Sequence, residues 1–372
     1  MKFSCEKTLL QSAINTTSRA VSNKSSITAL EGLLLQAKHN LTISGYNMQT
    51  GIRTNINAKI STTGTLVLNA RLFGDIIRKL PDDILTFDSD EKHNVRITCG
   101  DTFFEIQGIP ADDYPELPEV EDEHAMTIQQ GLLRAMIAQT SFAVSTNEAR
   151  PVHTGSLFEV DETGLTIVSV DGFRLALRRE KLEKFDGNAF KFVAPGTALN
   201  EVEKICDDSE EPATITLGNR HILFEVGATQ LICRRLEGEF LDYRTAIPRN
   251  NPIAIHADKR NMMHSIDRVS VVISEKQKCP VRCIFDEDRV YLSTKTGNGE
   301  AKDVCYVAGN GRKLEIGFNN RYLMEALRYA PADNVKIELN TGISPCIIVP
   351  IEVPVGEENF LYMVLPVRLK NS

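Results

Sequence analysis

The side chains that could hold a metal ion or attack a substrate are scattered along the sequence. The chain has eight cysteines and seven histidines, and no two cysteines have the spacing of a CxxC motif. Cys279 and Cys283 lie nearest to each other, but no second cysteine or histidine pair accompanies them at zinc-binding spacing. Reduced and mostly buried thiols are therefore favoured, with a zinc site as the weaker alternative.

Acidic residues offer a second kind of metal site. Four carboxylates lie between Glu119 and Glu123, within the segment PEVEDEH. A metal-dependent nuclease would need clustered carboxylates on strands and helix ends, and no such set is evident elsewhere. The run therefore favours an acidic linker over a metal-binding cluster.

Sequence motifs for nucleotide binding and nucleophilic catalysis are missing. No GxxxxGK[ST], GxSxG or HExxH segment occurs. Two Gly-Asn-Gly segments, at 297–299 and 309–311, lack the third glycine of a dinucleotide-binding loop and predict hairpin turns. These absences favour a binding or scaffold protein over an enzyme.

Length and composition indicate a soluble protein of two or three domains. The chain has 372 residues, of which 42% are hydrophobic and 25% charged. No signal peptide and no apolar run of about 20 residues is present, so a cytoplasmic location is expected. The formal net charge of −8 argues at first against nucleic-acid binding.

The sequence repeats with a period of one third of its length. LTI at 41–43 recurs at 165–167, and VYL follows at 290–292. Each third contains two segments with the apolar spacing of a helix, separated by short apolar or alternating segments typical of antiparallel strands. The predicted helical segments are 6–24, 69–80, 128–145, 195–206, 258–274 and 319–330.

The repeat predicts an α+β fold made of three tandem copies of a two-helix, antiparallel-sheet domain. The breaks are expected in the acidic segment 118–124 and in PRNNPIA at 248–254. This gives predicted domains at 1–122, 123–250 and 251–372. Tandem copies of this kind usually form arrays, barrels or rings around a shared surface.

Four segments in order resemble one known family. These are VDGFRLA and LEGEFLDYRTAIP in the middle third, then FNNRYLMEAL and MVLPVRL in the last third. Together they resemble the bacterial sliding clamps, the beta subunits of DNA polymerase III, over the whole chain. The resemblance implies the DNA clamp fold, with two copies joined head to tail in a six-domain ring whose twelve helices surround duplex DNA.

The resemblance also implies a processivity factor that is not an enzyme and needs no metal or cofactor. Such a ring tethers the replicative polymerase and other replication and repair proteins, and an ATP-driven clamp loader opens and closes it. The charge distribution is compatible with this role. The six predicted helical segments carry a summed formal charge of +6, which leaves −14 for the rest of the chain. A mildly basic lining would tolerate phosphates without gripping them.

In the family, a groove at the border of the second and third domains binds short partner peptides. The matching positions are Val170, Gly172, Phe173, Arg174, Leu175, Leu241, Asn319, Tyr322, Ile343, Pro345, Met363, Val364, Leu365, Pro366, Val367, Arg368 and Leu369. We expect Leu175, Val364 and Leu365 to form apolar walls and Arg174 to donate hydrogen bonds to peptide carbonyls.

The resemblance also suggests residues for the other two surfaces. Those matching DNA contacts are Lys24, Asn147 and Arg150, and Arg71 and Arg78 are added from their charge alone. For the dimer interface, Phe104 and Ile106 on an edge strand are expected to meet Val272 and Ile273 of the other copy.

Three positions depart from the family pattern. Phe173 stands where a histidine is common, Leu241 where a proline is common, and His153 where an apolar residue is common. Two alternatives stay open at this stage, a repeat-built enzyme acting on DNA and a scaffold with no DNA role. Without the resemblance, VLPVRL is equally well explained as a final core strand.

Overall fold

The structure, a computed structural model, describes residues 1–22, 24–121, 124–182, 187–274, 279–354 and 356–369. Asp122 and Glu123 of the predicted acidic linker lie outside the described residues. The chain divides into two compact units. Unit 1 comprises residues 1–134 and 197–235, and unit 2 comprises residues 135–196 and 236–372.

Strands and helices follow each other in a similar order in every third of the described chain. The first third contains β1 Lys2–Glu6, α1 Lys7–Thr17, β2 Gly32–Ala37, β3 Leu41–Tyr46, β4 Thr50–Ile56, β5 Lys59–Thr62, β6 Gly64–Asn69, α2 Ala70–Lys79, β7 Ile84–Ser89, β8 Asn94–Cys99 and β9 Thr102–Gln107. The middle third contains β10 His124–Gln129, α3 Gln130–Ser141, β11 Gly155–Asp161, β12 Gly164–Val170, β13 Arg174–Glu180, β14 Phe190–Pro195, α4 Gly196–Ile205, β15 Pro212–Leu217, β16 His221–Val226, β17 Thr229–Arg234 and α5 Tyr243–Ala246.

The last third completes the pattern. It contains β18 Ile253–Asp258, α6 Lys259–Ser270, β19 Val281–Phe285, β20 Arg289–Thr296, β21 Gly299–Tyr306, β22 Ala308–Gly309, β23 Leu314–Phe318, α7 Asn320–Tyr329, β24 Asn334–Leu339, β25 Cys346–Pro350 and β26 Phe360–Val364. The prediction of three repeated two-helix, antiparallel-sheet domains is confirmed. The four-residue helix α5 was not predicted.

Polar side chains fix the starts of several helices. The side chain of Asn69 accepts a hydrogen bond from the backbone N–H of Leu72 at the start of α2, and Asp258 and Asn319 cap α6 and α7 in the same way.

Each predicted helical segment contains a helix, but the helices are shorter than the segments. The largest difference is α1, which ends at Thr17 and continues as a 3₁₀ turn.

Unit 1 contains two sheets whose described strand pairings are antiparallel. One has the order β5-β1-β7-β8-β9, and the other has the order β10-β15-β16-β17-β4-β3-β2-β6. In the larger sheet, β17 of the middle third pairs with β4 of the first third. Helices α1 and α2 bury an apolar face against this unit's core, with Leu10, Ile14, Phe73 and Ile77 fully enclosed.

Unit 2 repeats this construction. Its sheets have the orders β14-β11-β12-β13-β26-β25-β24-β18-β22 and β21-β20-β19-β23. Here β13 of the middle third pairs with β26 of the last third, and α6 and α7 bury Met262, Ile266, Leu323 and Leu327 in the core. Because each large sheet joins strands of two thirds, the breaks near residues 122 and 250 stay predictions.

The two Gly-Asn-Gly segments differ in structure. The first forms the predicted hairpin, in which Thr296 pairs with Gly299. For the second the prediction was wrong, because β22 pairs with β18 whereas β23 pairs with β19 in the other sheet of unit 2. Gly309 has a φ of +149°, and a Cβ atom there would lie 2.2 Å from the Ala254 carbonyl oxygen. Glycine is required for this close approach of backbones.

Candidate functional site

The segment SVDGFRLALR forms a tight hairpin between β12 and β13, with Val170 paired to Leu175. The Asp171 carboxylate closes the turn by accepting hydrogen bonds from the backbone N–H groups of Phe173, at 2.9 Å, and Arg174, at 3.0 Å. Gly172 has a φ of +89°, which favours glycine. The turn presents Phe173 to solvent with 59% of its surface exposed.

Arg174 lies beneath this turn and is only 7% exposed. Its Nε donates to Asp171 Oδ2 at 2.8 Å, and its Nη1 donates to the Glu325 carboxylate on α7. The guanidinium also lies 4.4 Å from the centre of the Tyr322 ring. This geometry therefore does not favour the expected hydrogen bonds from Arg174 to peptide carbonyls, because the guanidinium is enclosed and ion-paired. Arg174 instead links the turn to α7.

This link brings Phe173 beside Tyr322. The two rings stack with centroids 6.1 Å apart and planes 23° from parallel. Asn319 holds the first turn of α7 by accepting from the backbone N–H groups of Arg321 and Tyr322. Phe173, Asn319 and Tyr322, which are far apart in sequence, therefore lie together on one surface.

The C-terminal segment runs along the other side of the turn. In β26, Met363 pairs with Leu175 and Val364 pairs with Arg174. Beyond the strand, the backbone N–H of Leu365 donates to the Phe173 carbonyl at 2.9 Å. Val367 then donates to the Gly317 carbonyl at 2.8 Å, so the tail also contacts β23.

Burial divides the predicted groove residues into two groups. Val170, Leu175, Met363 and Val364 are buried. The expectation that Leu175 and Val364 form apolar walls is therefore wrong, because both are buried in the sheet core. The alternative that VLPVRL is a final core strand holds for Val364 alone, since β26 ends there. The residues that reach the surface here are Phe173, Tyr322, Leu365, Pro366, Val367, Arg368 and Leu369.

A cavity of about 470 Å³ lies between residues 150–153 and 237–242. Exposed Leu241 lines it, and the edge of the His153 ring packs against Phe240 with centroids 5.4 Å apart. Burial and then the charge of Arg150 lower the pKa of His153, so the ring is neutral at pH 7. Phe240 was not singled out from the sequence, although it lies directly before Leu241.

We call the surface around Phe173, Tyr322 and the tail from Leu365 to Leu369, together with this cavity, the unit 2 groove. Pro345 precedes Cys346, which pairs with Val364, so it lies near the tail. Ile343 is 81% exposed, and no described hydrogen bond or ring contact joins it to the rest of the groove. Asp171 and Glu325 were not predicted as groove residues from the sequence, although Asp171 lies within the segment VDGFRLA.

The predicted DNA-facing residues are all exposed. Lys24, Arg71 and Arg78 belong to unit 1, and Arg78 forms an ion pair with Asp75 at 3.0 Å. Asn147 and Arg150 follow α3 in unit 2, where the backbone N–H of Arg150 donates to the Asn147 carbonyl. Arg150 also lines the cavity of the unit 2 groove.

The predicted dimer-interface residues lie at two places, on β9 of unit 1 and just after α6 in unit 2. Phe104 and Ile106 are on β9, the outer strand of the five-stranded sheet, and are half-buried against their own core. Val272 and Ile273 follow α6, next to Val271, which is 81% exposed. In the four-stranded sheet, β21 is likewise an outer strand.

The described residues contain no group of three or more His, Cys, Asp or Glu side chains that could hold a metal ion. The eight cysteines are free thiols, and seven of them are buried, as predicted. Burial raises the pKa of Cys5 and Cys233 to about 12, which makes both weak nucleophiles. Among the helices of the described part, none is long and apolar enough to cross a membrane.

Comparison with known proteins gives a consistent result. Family models for the DNA polymerase III beta subunit match in tandem: the N-terminal domain at 1–118, the central domain at 127–242 and the C-terminal domain at 244–368. The beta sliding clamp of Staphylococcus aureus is 33% identical over 384 residues, and that of Staphylococcus epidermidis is 31% identical over 379 residues. Both alignments cover 99% of each chain.

Solved structures agree with the sequence comparison. The DNA polymerase sliding clamp of Bacillus subtilis superposes with a TM-score of 0.93 at 28% identity, covering 100% of both chains. A DNA polymerase III beta subunit from Eubacterium rectale gives a TM-score of 0.93 at 30% identity, covering 99% of this chain and 100% of that one. The chain therefore belongs to the DNA polymerase III beta subunit family, the bacterial sliding clamps, which are non-catalytic processivity factors.

Proposed function

We propose that two copies of this chain close head to tail into a ring around duplex DNA, and that polymerase and clamp-loader peptides bind the unit 2 groove. The chain is a sliding clamp of DNA polymerase III, and DNA, the polymerase and a second copy are its partners. The observation that carries the proposal is the tandem match of three clamp domains over nearly the whole sequence.

The outer strands support the dimer. Strand β9 ends one sheet of unit 1, and β21 ends one sheet of unit 2. An uncovered edge invites another strand, and two copies joined head to tail would cover β9 of each with β21 of the other. Apolar side chains exposed at these edges, Phe103, Val304 and Tyr306, would lose solvent contact there. Phe104, Ile106, Val272 and Ile273 would flank the joint.

The charges support a lining of helices. The six described helices of ten or more residues carry a summed formal charge of +6, and the rest of the chain carries −14. Helices facing the DNA would attract phosphates weakly, while the acidic exterior would limit binding elsewhere. Lys24, Arg71, Arg78, Asn147 and Arg150 would lie on or near this lining.

The exposed apolar side chains of the unit 2 groove support peptide binding. Phe173, Leu241 and Val367 are large, apolar and exposed, whereas buried residues beneath them fix their positions. Such a surface can hold a short peptide by its apolar side chains, and polymerase, loader and repair proteins would compete for it.

Retention on circular DNA tests encirclement. Protein loaded onto a nicked circular plasmid should co-elute with the plasmid in moderate salt, because a closed ring has no free end to leave by. Cutting the plasmid once with a restriction enzyme should release the protein by sliding. Equal retention on circular and linear DNA would contradict encirclement and would indicate ordinary binding.

A further inference from the structure

The first strands of unit 1 repeat the strand pattern beneath the unit 2 groove. In unit 2, Val168 of β12 pairs with Leu177 of β13. In unit 1, Ser44 of β3 pairs with Arg53 of β4, at positions 124 residues earlier in the chain. A third strand continues the same pattern in both units. Leu177 also pairs with Leu361 of β26, and Arg53 also pairs with Gln230 of β17.

These equivalent positions differ in chemistry. In unit 2 the three apolar side chains pack into one buried cluster under the connecting segment 236–247. In unit 1 the corresponding serine, arginine and glutamine are polar, and the connecting segment 111–120 passes over them. Tyr114 anchors that segment by donating a hydrogen bond from its hydroxyl to the Ser44 carbonyl at 3.3 Å.

A cavity of about 970 Å³ lies between this connecting segment and the sheet of unit 1. This volume is at the upper end of the range for pockets that bind organic ligands. Its lining is mixed: apolar side chains such as Leu34, Leu117, Leu223 and Ile232 alternate with polar and charged ones. Arg53 lies among them, half-buried.

The guanidinium of Arg53 is oriented but its charge is not neutralised by an ion pair. Its Nε and Nη2 donate to Gln230 Oε1 at 3.1 and 2.7 Å, and Gln230 Nε2 in turn donates to Glu225 at 2.7 Å. Within the described residues no carboxylate forms an ion pair with Arg53. Lys38 adds a second positive charge to the lining, which also includes the exposed carboxylates of Glu116 and Glu119 on the connecting segment.

We infer that this cavity, the unit 1 cleft, is a second peptide-binding site, which takes an extended apolar peptide carrying a carboxylate to Arg53. A planar guanidinium held by a neutral amide keeps N–H groups free for a carboxylate, and the apolar walls would bury the neighbouring side chains. In the unit 2 groove, Arg174 beneath the turn is enclosed by Asp171 and Glu325. The positive charge at the surface there comes from Arg150 and Arg368. The two sites would therefore present a cation to a peptide carboxylate in different surroundings.

Calorimetric titration of the full-length protein with a matched peptide pair tests this assignment. The probe is acetyl-Ala-Leu-Phe-Leu with a free C-terminal carboxylate, and the comparison peptide is the same sequence ending in an amide. We expect the acid to bind about tenfold more tightly than the amide, because one charge-assisted contact is lost in the amide. Arg53→Gln should abolish that difference, since glutamine keeps a polar contact to Gln230 but has no charge.

Two further variants locate the binding. Arg53→Lys keeps the charge and should retain part of the preference for the acid. A variant that had lost its fold would show no such preference. Phe173→Ala, in the unit 2 groove, should leave the preference unchanged. Equal affinities of acid and amide for the wild type, or a preference that survives Arg53→Gln, would overturn the inference. A preference lost in Phe173→Ala would place the peptide in the unit 2 groove and would also overturn it.

Discussion

At the scale of single residues, Arg174 supports the proposed peptide-binding surface from beneath it. A buried ion pair contributes little net stability, because removing both charges from water offsets most of their attraction. The contacts of Arg174 are nevertheless directional, since they join Asp171 in the turn to Glu325 on α7. Their main consequence is to fix Phe173 beside Tyr322.

Replacing Arg174 with alanine should destabilise this part of unit 2 by about 3 kcal/mol. The change would leave the side chains of Asp171 and Glu325, which are 12% and 18% exposed, without their shared cation. We expect faster amide hydrogen exchange in β13 and α7, measured by mass spectrometry. Arg321→Ala is the control, because Arg321 pairs with the same Glu325 but its side chain is 73% exposed, and the expected cost is below about 1 kcal/mol. Equal effects of the two variants would contradict the buried link.

At the scale of elements, the strands at the sheet edges and the C-terminal tail form the proposed binding surfaces. Strand β26 is a core strand of the nine-stranded sheet, but the chain beyond it leaves the sheet and reaches β23. Among the strands of the described ranges, β9 has a neighbour in its sheet on one side only. The surface at the tail is therefore suited to binding the side chains of a peptide. The free edge of β9 is suited to pairing with the backbone of another copy.

Deleting residues 366–372 should weaken the binding of a polymerase-tail peptide at least tenfold. The deletion removes the tail beyond Leu365, and losing about 60 Å² of apolar contact is enough for that change. Residues 370–372 lie outside the described residues. Fluorescence anisotropy with a labelled peptide measures the affinity, and sedimentation should show an unchanged dimer. Unchanged peptide affinity would mean that the groove lies elsewhere.

Combining Phe104→Ala with Ile273→Ala should shift the protein from dimer toward monomer. Both side chains are only half-buried within their own units, so the units should keep their circular dichroism spectra while the joint loses apolar contact. Analytical ultracentrifugation at micromolar concentration measures the shift. Ile84→Ala is the matched control, because Ile84 is exposed on β7, an interior strand of the same sheet. A monomeric wild-type protein would contradict the ring.

The sequence predicts the elements better than it predicts their partners. Helix positions follow from apolar spacing, and the hairpin at Thr296–Gly299 follows from its turn residues, because both signals are local. The pairing of β13 with β26, like the contact of Arg174 with Glu325 across 151 residues, depends on chain segments that no local pattern connects. For the same reason the positions of the groove residues came from the family resemblance, and their burial could not be read from the sequence.

At the scale of the whole molecule, charge is divided between helices and the rest of the chain. The helices carry +6 and the remainder −14, so an acidic protein can still present basic helices to DNA in the proposed ring. At physiological salt the Debye length is about 8 Å, so only charges near the phosphates contribute much. The position of a charge should therefore affect DNA binding more than the net charge does.

Replacing Arg71 with glutamine should reduce the salt dependence of DNA binding. Arg71 is exposed on α2 and forms no ion pair with the described residues. If it contacts a phosphate in each copy, the slope of log K against log salt concentration should become shallower by about two in the dimer. Lys59→Gln is the control, because it removes the same charge from an exposed position on β5 rather than from a helix. Equal slopes for the two variants, measured with a short free duplex over a range of salt concentrations, would mean that net charge alone governs binding. A smaller slope for Arg71→Gln alone would identify the helical surface as the one that meets the DNA.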